Sequence, residues 1–131
     1  MPDTASTLRS NFRNLYADVF WYGVLAGSAI AFLSVYAARL NASGFQISLI
    51  TGGPAVVNLI MSLPAVRWIE NRSLIRTAFN TAVAHRIGYF VLIPLPWLLT
   101  QVGQVWAIVV LTLLIAFPGT LLAISFNSMF A

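Results

Sequence analysis

Residues 61–86, MSLPAVRWIENRSLIRTAFNTAVAHR, join two long apolar segments through a short basic bend and carry Arg67, Arg72, Arg76 and Arg86, four of the seven basic side chains in the chain. Charge gathered this tightly between apolar runs fixes a direction, because basic loops stay on the cytoplasmic side of a bilayer. With the bend inside, every neighbouring helix acquires an orientation.

Composition supports a bilayer setting. The chain is 60% hydrophobic and only 8% charged, far from the roughly 25% charged residues of soluble domains, and its mean hydropathy is +0.87. Segments facing lipid tails need apolar residues over their whole surface. The formal charge of +4 comes from arginines at the edges of apolar runs, which reads as a topology signal and not as a nucleic-acid surface. With no cysteine, one histidine and three acids, no metal cluster and no nucleophile–base–acid set can be assembled. Neither a metal, a cofactor nor an enzymatic activity is expected.

The expected fold is all-α, a polytopic bundle of four membrane-spanning helices with both ends cytoplasmic. Residues 1–17 form an N-terminal cytoplasmic or interfacial segment; Leu8, Phe12, Leu15 and Tyr16, continued by Val19 in the first span, recur at helical spacing opposite Arg9, Asn11, Arg13 and Asn14. The transmembrane domain covers 18–131, with spans at about 18–38, 46–66, 74–99 and 105–126, near the roughly 20 residues needed to cross a bilayer. Arg9, Arg13, Arg67, Arg72 and Arg76 flank these spans on one side and Arg39 alone on the other. That asymmetry gives a multi-pass protein of the cell membrane, with lipid as its first partner.

Local signals refine the spans. Gly23, Gly27 and Ala31 form a small-residue stripe of the kind that lets helices approach in lipid. Ser43 and Gln46 have capping-box spacing, which starts the second helix near Phe45. Gly52-Gly53-Pro54 in the second span and Pro118-Gly119 in the fourth predict a kink and a break, and hence flexing points. The sequons at Asn41 and Asn71 adjoin membrane segments and carry little weight.

A few polar residues fall inside spans. Arg86 lies about 18 Å along a helix beginning at Leu74, and an ionisable side chain at such depth marks a solute or proton path or pairs with a neighbour. Asp18 is its candidate counter-charge. His85 offers a proton relay or an interhelical hydrogen bond, and Asn58 a bond across to another helix or a substrate contact.

The order of these features resembles the first four helices of a major facilitator superfamily transporter. An arginine-flanked start leads into Asp18-Val19-Phe20-Trp21, a short outer loop Leu40-Asn41-Ala42-Ser43-Gly44 enters the second helix, and a basic inner loop precedes the third. Between its second and third helices that family usually has Gly-x-x-x-Asp-basic-x-Gly-basic-basic. On this sequence Val66 falls at the first glycine, Glu70 at the acid, Asn71 at the first basic position, Ser73 at the second glycine, and Leu74 and Ile75 at the basic pair. Arg67, Arg72 and Arg76 supply positive charge at shifted places. The resemblance implies a cytoplasmic gate loop held through Glu70, a small-molecule solute moved by alternating access with a coupling proton, and a longer transporter whose remaining helices complete the site. The alternatives are a complete four-helix protein working as an oligomeric small multidrug exporter, for which an acid such as Asp18 is required, and a non-transport membrane scaffold subunit.

Overall fold

The computed structural model describes residues 4–70 and 72–130, with side chains over 9–69 and 72–128. All regular structure among these residues is helical: α1 (Thr4–Leu25), a π-helical turn (Ala26–Ile30), α2 (Ala31–Arg39), α3 (Gly44–Glu70), α4 (Leu74–Val91), α5 (Leu95–Leu98) and α6 (Gln101–Phe130). Three runs are long and apolar enough to cross a membrane, Arg9–Arg39, Gly44–Ile69 and Gln101–Ser128. The residues divide into two compact units, 1–35 and 36–131.

The N-terminal unit holds α1, the π turn and the start of α2. Its widened turn falls on Ala26-Gly27-Ser28-Ala29, where small side chains leave room for a backbone bond to skip one residue further, as in the Ala31 N–H to Ala26 carbonyl bond. The Ser28 hydroxyl donates to the Val24 carbonyl at 2.6 Å in the same turn. Within this unit, a Cβ at Gly23 or Gly27 would meet no atom within 4 Å.

In the second unit, α2 ends at Arg39 and is closed off by Asn41, whose φ of 60° places it in the left-handed region. The Ala42 N–H donates to the Ala37 carbonyl and the Asn41 N–H to the Ala38 carbonyl, both at 3.1 Å, the paired closure that uses a left-handed residue just past a helix end. Two residues on, the Ser43 N–H donates to Gln46 Oε1 at 2.8 Å and the Gln46 N–H to Ser43 Oγ at 3.3 Å. This is the reciprocal cap expected from the Ser43–Gln46 spacing. Asn41, read as part of the short outer loop and of a discounted sequon, is thus a structural corner.

Two expectations about helix continuity are corrected. The span at 74–99 is not one helix: α4 stops at Val91, a turn follows, and α5 begins after Pro94. Pro94 and Pro96 lack the N–H groups that continuation needs. The break expected at Pro118-Gly119 does not occur, because α6 is helical from Gln101 through Phe130. A single proline removes one backbone bond, and packing along α6 holds the remaining turns. Similarly, α3 continues through Pro54 and Pro64.

Helix α6 is the element on which both α3 and α4 pack. Gly53 faces Leu113, Gly88 faces Ile115, and Gly119 faces His85. With the Asn58–Thr120 hydrogen bond, the α3 pairings rise together with α6, and the two α4 pairings run oppositely along α6, so α4 is antiparallel to the other two. The inner face of α6 buries Val105, Ile108, Val109, Ile115, Ala116 and Leu121. Near its end, Leu121 packs with Ala65 and Ile69 of α3, with Leu74 and Ile124 at the margin.

Hydroxyls in these helices turn back onto their own backbone, as Thr112 does to the Ile108 carbonyl at 2.7 Å and Thr81 to the Thr77 carbonyl at 2.7 Å. Internal satisfaction of this kind suits hydroxyls buried between helices, where no water is at hand to bond.

The glycine pairings generate a stability contrast. A Cβ at Gly88 would overlap Cγ1 of Ile115, whereas one at Gly52 would meet nothing within 4 Å. Gly88→Val should lower unfolding stability in detergent by about 1–3 kcal/mol through overpacking, and Gly52→Ala should be neutral or raise it by up to about 1 kcal/mol; chemical denaturation of the two variants checks both.

Candidate functional site: a polar seam on α6

Most polar side chains buried among the described residues lie on α4 and α6. Thr77, Thr81 and His85 are buried at four-residue intervals on α4, and Gln104, Thr112, Thr120 and Ser125 on α6. Four-residue spacing puts the α4 trio on one face. Ser125 is fully buried, and its hydroxyl has no hydrogen-bond partner among the described residues.

The seam is densest where three helices meet. From α3, the Asn58 amide bonds the Thr120 hydroxyl of α6, and the same hydroxyl lies 2.9 Å from the Ala116 carbonyl. One hydroxyl proton serves one acceptor at a time. The Thr120 hydroxyl donates to Asn58 Oδ1 or to the Ala116 carbonyl; an Asn58 amide turned over would instead donate to Thr120 and leave the hydroxyl proton for Ala116. From α4, His85 sits over the adjacent residue, since a Cβ on Gly119 would lie 3.0 Å from its Cδ2 and 3.2 Å from its Nε2. The imidazole also meets Tyr89 edge-to-face, with ring centroids 5.3 Å apart.

This meeting point is deep in the helices. Asn58 is fourteen residues from Gly44 and twelve from Glu70, about 21 Å and 18 Å at 1.5 Å per residue. Arg86, next to His85, is half-buried. Asp18 lies on α1, exposed, within the N-terminal unit.

The two ends of the second unit differ in charge. At one end the Tyr36 hydroxyl donates to Gln104 Oε1 at 2.9 Å, and the Gln104 side chain donates to the Leu99 carbonyl at 2.9 Å; Arg39 follows Tyr36 by three residues. At the other, Arg72 lies against a groove shared with Ser128, and its guanidinium stacks over Trp68, 4.1 Å from the ring centre. Arg67 and Arg76 belong to the same end, at the last turn of α3 and the first of α4. Glu70 ends α3; its side chain and the whole of Asn71 lie outside the described residues, and with them the proposed gate contact.

Of the residues singled out in the sequence, Asn58, His85 and Gly119 are thus brought to neighbouring positions, while Gly53 seats an α6 side chain, as does Gly88, which was not singled out. Thr77, Thr81 and Thr120 were not singled out. The Thr77–Thr81–His85 spacing was the available signal for the first two; nothing local distinguishes Thr120 from other threonines. No metal-binding group of three or more His, Cys, Asp or Glu occurs among the described residues.

No family model, curated protein or solved structure matches this chain.

The Asn58–Thr120 bond should be measurable. Asn58→Leu and Thr120→Val should each destabilise the protein, with a coupling in a double-mutant cycle of about 0.6–1.7 kcal/mol, the range for interhelical hydrogen bonds in membrane proteins. Additive losses would show that the two side chains do not act together.

Proposed function

We propose that this chain is the N-terminal part of a secondary active transporter of the major facilitator type, moving a small solute by alternating access. In this reading α4 is a fourth span beside the three apolar runs, its Arg86 and His85 at membrane depth, and both ends of the chain face the cytoplasm. The basic bend and Glu70 form the inner gate loop, and the remaining helices of the transporter complete the solute site.

The observation that carries the reading is the convergence of Asn58 and His85 on Thr120 and Gly119. Polar and ionisable groups within membrane helices are costly and commonly mark solute or proton paths. Here they come from helices that alternate in direction, as transporter helices must, and Arg86 lies beside them. His85 is the residue proposed to carry a coupling proton, because an imidazole can both donate and accept one. Charge asymmetry gives independent support for the orientation: Arg67, Arg72 and Arg76 gather at one end of the second unit, with Arg39 at the other. Gly52, Gly53 and Pro54 on α3 and Pro118 and Gly119 on α6 are the sites where these continuous helices would bend.

This chain contains no cysteine, and with any cysteine outside it replaced, accessibility is a clean test. In the full-length protein, Ser73→Cys should react with an impermeant maleimide in inside-out vesicles and not in right-side-out ones. Asn58→Cys should react from both sides, as a site alternately open to each. Labelling of Ser73→Cys from outside would reverse the orientation, and labelling of Asn58→Cys from one side or neither would remove alternating access.

A further inference from the structure

At the basic end of the second unit, a groove of about 340 Å³ is lined by Val66, Ile69, Arg72, Leu74, Ile124 and Ser128. We propose that this groove binds the glycerol and headgroup region of an anionic phospholipid, with the phosphate on Arg72 and Ser128 and the acyl roots against Val66, Ile69, Leu74 and Ile124.

Three features select this ligand. The apolar walls are set against packed residues, for Ile69 belongs to the buried cluster with Ala65 and Leu121, and Leu74 and Ile124 pack on its edge. A free inorganic anion has no use for such walls, whereas the hydrocarbon next to a lipid phosphate does. Arg72 is also held in place, its guanidinium 4.1 Å over the Trp68 ring. Stacking leaves the N–H edge of the guanidinium available to a phosphate, which it can meet with paired hydrogen bonds. Finally, the charge around the groove favours an anion. Arg67 and Arg76 flank it in sequence, and Glu70 is the single acid between residues 66 and 128. Basic pockets between membrane helices are suited to anionic headgroups for these reasons.

The site depends on the chain lying in a bilayer and not on transport or its direction. Alkaline carbonate extraction separates the two: release of the chain from membranes would refute the bilayer setting, while a failed lipid test with the chain retained would refute the site alone.

The test is native mass spectrometry of the full chain in mild detergent, incubated with equal amounts of phosphatidylglycerol and phosphatidylcholine of the same acyl chains. The wild type should retain phosphatidylglycerol preferentially. Arg72→Gln should lower that preference about fivefold, the effect of one basic side chain near an anionic surface, and Arg9→Gln should leave it unchanged. Val66→Trp, placed at an exposed wall of the groove, should reduce retention of both lipids. Equal retention by the wild type, an unchanged preference in Arg72→Gln, full retention in Val66→Trp, or an equal loss in Arg9→Gln would overturn the proposal. So would displacement of the bound lipid by millimolar inorganic phosphate, which would identify a soluble anion as the occupant.

Discussion

Close approach at glycine holds the second unit together. Lipid tails are as apolar as leucine, so the hydrophobic effect does little to drive one membrane helix onto another, and packing must do it. Gly53 lets α3 receive Leu113, Gly88 lets α4 receive Ile115, and Gly119 lets α6 receive His85. Each seat brings one backbone within side-chain reach of its neighbour. The pairings also set the register, and with it the positions of the polar groups.

That register explains why the polar seam lies where it does. With His85 over Gly119, the next α6 residue, Thr120, is offered to α3, where Asn58 meets it. A hydrogen bond and an imidazole contact on consecutive residues tie three helices at one level. The same packing leaves the groove at the basic end, where α3, α4 and α6 part around Ile69, Leu74 and Ile124. Site and groove are therefore two consequences of one helix arrangement, at different depths.

Much of this was legible in the sequence for physical reasons. Apolar runs with charges at their edges identify membrane helices, and the Ser43–Gln46 spacing identified a helix start because that cap is a local hydrogen-bond exchange. Proline was less legible. The expected third span runs through Pro94 and Pro96, which, two residues apart, in fact end α4 and set off α5, and the break expected at Pro118 is absent, for Pro118, like Pro54 and Pro64, stands in an unbroken helix. An isolated proline costs one backbone bond, and whether the helix survives depends on neighbours that local sequence does not name. For the same reason Asn58 and His85 were visible as unusual residues, whereas their shared target was not: Thr120 differs from Thr112 only by what lies opposite it. The π turn at Ala26–Ile30 had only its small residues as a clue.

The α3–α6 register is the claim on which the seam depends, and paired cysteines test it most directly. In the otherwise cysteine-free chain, Asn58→Cys with Thr120→Cys should crosslink on mild oxidation in native membranes, joining the fragments produced by a protease site engineered between α3 and α4. Asn58→Cys with Leu114→Cys, the latter on the exposed face of α6, should not. A crosslink to position 114 and none to position 120 would contradict the helix arrangement and the seam built on it.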